Sequence, residues 1–152
     1  MPQACFYLLT AASNTMAGNA ELLCCELAAR AYQQGQGMVI YCQDRAQAER
    51  LDELLWQFDA ERFIPHNLAG EGPAGGAPVV IHWLQRDPPL LEKRQQLVNL
   101  AFELPSFAVQ FAQIFDFVAV EEHAKAQARR RFSTARQMGL APSTHNLALQ
   151  PL

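Results

Sequence analysis

The first stretch whose spacing could do chemistry is Gly70-Glu-Gly-Pro-Ala-Gly75, which matches G-x-G-x-x-G letter for letter. That fingerprint holds a pyrophosphate when a strand runs into the glycines and a helix leaves them, so that free N–H groups and the helix dipole face the phosphate. Here Pro73 removes one donor and Glu71 places a negative charge where phosphate would sit. The apolar run Val79-Val-Ile-His-Trp83 then reads as a strand, not a helix. A Walker loop fails too, because no Lys-Ser/Thr follows the last glycine. A nucleotide-binding enzyme using the Gly70–Gly75 loop is therefore the alternative reading. The favoured one is a stiff connector, with glycines supplying positive φ and prolines limiting disorder.

Other catalytic signatures are weak. Cys5, Cys24, Cys25 and Cys42 show no C-x-x-C spacing, and His66, His82, His123 and His145 show no H-x-x-x-H. Buried reduced thiols are expected in place of a zinc site, and no cofactor is implied. There is no G-x-S-x-G, and Cys24 sits inside a helical pattern. Asp52 and Glu53 are adjacent on a helix and so diverge, which fits a solvated face better than a paired acid and base.

The helix read from Val120 to about Met138 carries more information. Ala124, Ala128, Ala135 and Met138 line one side, while Lys125, Arg129, Phe132 and Arg136 recur at steps of four, three and four on the adjoining side. Two readings stand: a solvated basic face, or a site for an acidic peptide bearing an apolar group, oriented by charge-assisted contacts. Arg131 falls close to the apolar side, against this pattern. Trp56 and Phe63 bracket a short turn, and their spacing fits core residues and interface anchors equally well.

These groups need a scaffold, and the order of elements supplies one. Cys5–Leu9 and Met38–Cys42 read as buried strands. Between them a helix starts after Asn19 and stops at Gly35, and a second, capped by Asp44, runs from Arg45 to Trp56. Arg62–Ile64, Val79–Trp83 and Ile114–Val118 read as further strands, Arg86–Pro89 as a loop, and Pro105–Phe111 as a short helix. Gln95–Ala101 fits strand or helix. The alternation predicts an α/β fold: a single Rossmann-like domain, mainly parallel sheet flanked by helices, with no nucleotide-binding site. The domain is expected over residues 1–139, with 140–152 a loosely held tail.

At 152 residues, half of them apolar, 18% charged and with a net charge of −3, the chain is expected to be a globular domain that does not bind nucleic acid directly. No signal-peptide pattern or long apolar run is present, so a cytoplasmic protein away from membranes is expected.

Leu51-Asp-Glu-Leu-Leu-Trp56, Phe63-Ile-Pro-His-Asn-Leu-Ala-Gly-Glu-Gly-Pro73 and Gly75-Gly-Ala-Pro78 together resemble the chi subunit of bacterial DNA polymerase III. Phe6-Tyr-Leu-Leu9, Asp116-Phe-Val118 and the late basic helix fit the same family, over about Cys5 to Gly139. The resemblance implies a clamp-loader accessory protein without catalytic activity, binding the psi subunit on one side and the acidic C-terminal tail of single-stranded DNA-binding protein (SSB) on another. It places the tail site on Val118, Lys125, Arg129 and Phe132, with Arg129 the main carboxylate partner, and the psi-binding site on Trp56, Phe63 and Pro65. Phe132 stands where the family pattern has a tyrosine, and Ser133 where it has a further basic residue.

Overall fold

Seven strands and three helices account for the computed structural model, which describes residues 2–58, 62–72, 76–84 and 94–152. In chain order they are β1 (Gln3–Leu8), α1 (Ala20–Gln33), β2 (Gly37–Cys42), α2 (Arg45–Gln57), β3 (His66–Leu68), β4 (Val79–Trp83), β5 (Arg94–Asn99), β6 (Gln113–Val118), α3 (Glu122–Gln137) and β7 (Pro142–Asn146). The strands form one sheet in the order β3-β4-β2-β5-β6-β1-β7, and every neighbouring pair is parallel.

The helices begin where side chains can satisfy their free N–H groups. The Asn19 side chain accepts from Glu21 N and Leu22 N, at 3.0 and 3.2 Å, and Asp44 accepts from Gln47 N at 2.9 Å. Glu121 caps α3 by accepting from the amides of His123 and Ala124. Gly139, at φ 77°, ends that helix by turning through the left-handed region, and Leu140 N then returns to Ala135 O at 2.9 Å.

Each face of the sheet carries its own core. On one, α1 and α2 bury Leu23, Cys24, Cys25, Ala28, Ala48, Leu51 and Leu55 against Tyr7, Met38, Ile40, Val98 and Phe117. On the other, α3 and the 3-10 helix Ser106–Gln110 cover Ala4, Phe6, Val39, Leu97 and Ile114, using Ala108, Phe111 and Ala135. Strand alternation divides the two sets: Phe6 and Tyr7 are neighbours in β1 and point to opposite cores.

Three expectations change or resolve here. Arg62–Ile64 is not a strand: Ile64 is a buried plug, and pairing begins only at Pro65, whose carbonyl accepts from Val79 N. Gln95–Ala101 resolves as strand as far as Asn99, since β5 lies between β2 and β6 and is buried by both layers. The tail after Gly139 is corrected from loosely held to structured. β7 extends the sheet beside β1 from Ala4↔Pro142 to Leu8↔Asn146, and Leu140 and Leu147 are buried at its ends. The Arg86–Pro89 loop, residues 90–93 and Pro73–Gly75 lie outside the described residues.

Candidate functional site

Small residues seat α3 close to the sheet: Ala128 and Ala135 are fully buried along its inner side. Phe132, partly buried, lies 5.1 Å from the Phe6 ring at a tilt of 58°. Val118, at the end of β6, packs against the same core cluster. Around these two apolar residues stand the cations. Arg129 is exposed, Lys125 approaches Glu122 at 3.9 Å, and the Arg136 guanidinium sits 5.3 Å from the centre of the Phe132 ring. Val118, Lys125, Arg129 and Phe132 thus share one side of the molecule.

Arg131, which broke the helical pattern, explains how α3 is held. Its Nε donates to both carboxylate oxygens of Asp116, at 3.1 and 3.0 Å, while Nη1 reaches Phe102 O and Nη2 reaches Phe117 O. Asp116 is completely buried and also accepts from Asn99 Nδ2 and from Phe117 N. Burial pushes its carboxyl up, and Arg131, Asn99 and the Phe117 amide pull against that shift. The signal was legible as a carboxylate inside the apolar run Ile114-Phe-Asp-Phe-Val118 and an arginine out of phase fifteen residues later.

A cavity of about 460 Å³ opens beside this pair, at the C-terminal ends of β1, β5 and β6, where parallel sheets commonly bind ligands. Its polar lining includes Asn19, Glu21, Gln47, Asn99, Asp116 and Arg131. Arg131 is spent on Asp116 and two carbonyls, Asn19 is spent as a cap, and an entering phosphate would face the carboxylates of Glu21 and Asp116. The described residues flanking Pro73–Gly75 are no better suited. Asn67 Nδ2 donates to Leu68 O and Glu71 O, and its Oδ1 accepts from Ala77 N, so one side chain fills the inside of the turn. At Gly76, with φ 78°, an added Cβ would lie 2.7 Å from Arg94 Nη2.

On the opposite layer, Trp56 and Phe63 form an exposed aromatic pair with ring centres 5.6 Å apart, 58% and 61% exposed. His66 lies under Trp56 at 4.8 Å. Its Nδ1 faces Ile64 O at 2.7 Å, and its Nε2 faces both the backbone O and Oδ1 of Asp52 at 3.2 Å. Pro65, between Ile64 and His66, is partly buried. Spacing alone could not say whether Trp56 was core or surface; it is surface, braced from below by His66.

Burial argues against a nucleophilic role for three of the four thiols. Cys24, Cys25 and Cys42 are buried and free, and burial pushes the Cys25 thiol up to about 12. Among the described residues, no three His, Cys, Asp or Glu side chains are grouped to hold a metal ion, and no helix is long and apolar enough to cross a membrane.

Comparison with known proteins finds relatives along most of the chain. The model of the family described as "DNA polymerase III chi subunit, HolC" matches residues 1–143. DNA polymerase III subunit chi of Escherichia coli (strain K12) is 43% identical over 145 residues, covering 95% of this chain and 97% of that protein. The subunit chi of Haemophilus influenzae is 40% identical over 142 residues, covering 93% and 95%. Among solved structures, the crystal structure of T4 UvsW superposes with a TM-score of 0.62 at 8% identity, covering 95% of this chain and 42% of that one. That last likeness is one of fold alone.

Proposed function

Because this chain belongs to the DNA polymerase III chi subunit family, we propose that it is a non-catalytic accessory subunit of the replicative holoenzyme. In this reading it binds the acidic C-terminal tail of SSB and the psi subunit, and so links the clamp loader to coated template in the cytoplasm.

The observation that carries the tail assignment is the arrangement on α3, where exposed cations flank the half-buried Phe132 beside Val118. Arg129 takes the terminal carboxylate, since a guanidinium fork matches carboxylate geometry. Val118 and Phe132 wall the pocket for the terminal aromatic, and Lys125 adds positive potential. The psi subunit packs on Trp56, Phe63 and Pro65, where two large exposed rings on a rigid base suit an interface centre. The chain itself is acidic overall, consistent with reaching DNA through a protein.

Fluorescence anisotropy with a labelled tail peptide tests the reading. Arg129→Ala is expected to cost about 1–3 kcal/mol of binding, the range for hydrogen bonds involving charged groups. Wild-type affinity is expected to fall with added salt more steeply than that of the variant. Undiminished binding by Arg129→Ala would overturn the site.

A further inference from the structure

We propose that the rim where the strands end, centred on Phe102, is a docking surface for a protein segment that carries a lysine or arginine beside a large apolar side chain. It is a third surface. Trp56 packs on His66 at the start of β3, the opposite end of the strands, and the rim is opposite in charge to the α3 stripe.

Because all neighbouring strands are parallel, each delivers its last residue to the same end of the sheet. There the adjacent strands β2, β5 and β6 are each followed within four residues by an exposed carboxylate, Asp44, Glu103 and Glu121. None of these three has a cation within ion-pair distance among the described residues. Arg45 and Arg50 are engaged by Glu49 and Glu21, and Lys125 neighbours Glu122. Asp44 and Glu121 also cap α2 and α3, so they cancel the positive helix ends that would otherwise draw an anion here.

Apolar groups sit among these acids. Phe102 follows β5 and is 55% exposed, and Leu84 and Val120, after β4 and β6, are exposed as well. The backbone of Phe102 is pinned on both sides. Its N–H donates to Gln43 Oε1 at 2.8 Å, and its carbonyl accepts from Arg131 Nη1 at 3.1 Å. The ring thus projects from a fixed base, between the 460 Å³ cavity and a second of about 350 Å³ lined by Tyr41, Leu84, Leu104 and Pro105. A fixed, exposed aromatic flanked by hollows suits the centre of an interface.

The charges select the occupant. Three uncompensated carboxylates repel an acidic peptide or a phosphate backbone and attract lysine or arginine. The second cavity takes an apolar side chain, and the Phe102 ring can also receive a guanidinium on its face. From β4 to β6 the rim crosses three strand spacings, roughly 14 Å, which an extended segment covers in about four residues.

The test titrates the full, nitrogen-15-labelled chain with short capped peptides pairing one arginine with one leucine. Amide shifts are expected to centre on Gln43, Ala101, Phe102 and Glu103. Replacing the peptide's arginine by glutamate is expected to weaken binding by roughly two- to fivefold, as for an exposed ion pair, and Glu103→Lys is expected to abolish that preference. Phe102→Ala, with circular dichroism confirming the fold, is expected to weaken binding by at least about fivefold. Tyr32→Ala removes an exposed ring from α1 and is expected to change nothing. The proposal is overturned by shifts centred elsewhere, by no saturable shifts at millimolar peptide, or by undiminished binding to Phe102→Ala. Sedimentation that shows the chain alone forming a dimer, dissolved by Phe102→Ala, would make the occupant a second copy and overturn the assignment of a basic segment.

Discussion

The fully buried carboxylate of Asp116, in the middle of an apolar strand, is answered by the half-buried guanidinium of Arg131. The pair crosses from β6 to α3 between Arg129 and Phe132 in sequence, so the same helical turn holds both the anchor and the groups proposed to bind the tail. Arg131 also ties down the carbonyls of Phe102 and Phe117, which a lysine could not reach together. Removing one partner of such a pair leaves an uncompensated buried charge. Arg131→Met is therefore expected to destabilise the fold by about 3–5 kcal/mol in urea denaturation. The double replacement Asp116→Leu with Arg131→Met is expected to cost much less, because no charge is left behind. Equal costs for the single and double variants would show that the two side chains are not energetically coupled.

Among the elements, the helices were the most legible because their ends are chemically marked. Asn19, Asp44 and Gly139 each do in the structure what their residue types advertise. β7 was not legible, for a physical reason. Pro142-Ser-Thr-His-Asn146 is an edge strand held by its backbone ladder to β1, and Ser143 and Thr144 face solvent, so no apolar alternation is written into it. The apolar signal sits just outside the strand, in Leu140 and Leu147. β3 was displaced by four residues because Ile64 looked like part of a strand but serves as a core plug ahead of Pro65. The tail site was read from the α3 stripe and the family likeness, whereas Arg131 needed the fold to bring Asp116 beneath it. Ending the chain after Gly139 tests whether the tail belongs to the domain. Loss of two buried leucines is expected to remove about 3–6 kcal/mol, and the β1 amides are expected to exchange faster in hydrogen-exchange measurements. Unchanged stability and β1 protection would return residues 140–152 to the status of a dispensable tail.

At the scale of the molecule, the two proposed interfaces are separated by the sheet itself. Trp56 lies on α2, which packs near β3 and β4, while α3 covers β6 on the other layer. From β3 to β6 the sheet order runs through β4, β2 and β5, a lateral distance of roughly 19 Å at normal strand spacing. That exceeds the Debye length of about 8 Å at physiological salt, so charge on α3 is screened from the Trp56 side. The cores of the two layers share no side chain, because neighbouring residues of each strand point to opposite faces. In the proposed reading, partners on these two faces are expected to bind without either altering the other's affinity. Trp56→Ala is accordingly expected to weaken psi binding by at least about 2 kcal/mol, as for an interface centre, and to leave tail-peptide binding intact. In a double-mutant cycle with Arg129→Ala, the two effects on each partner are expected to add within about 0.5 kcal/mol. Circular dichroism of each variant separates true coupling from unfolding: a folded Trp56→Ala that loses both partners would mean that the sheet transmits between its faces, and that the independence argued from its layering is wrong.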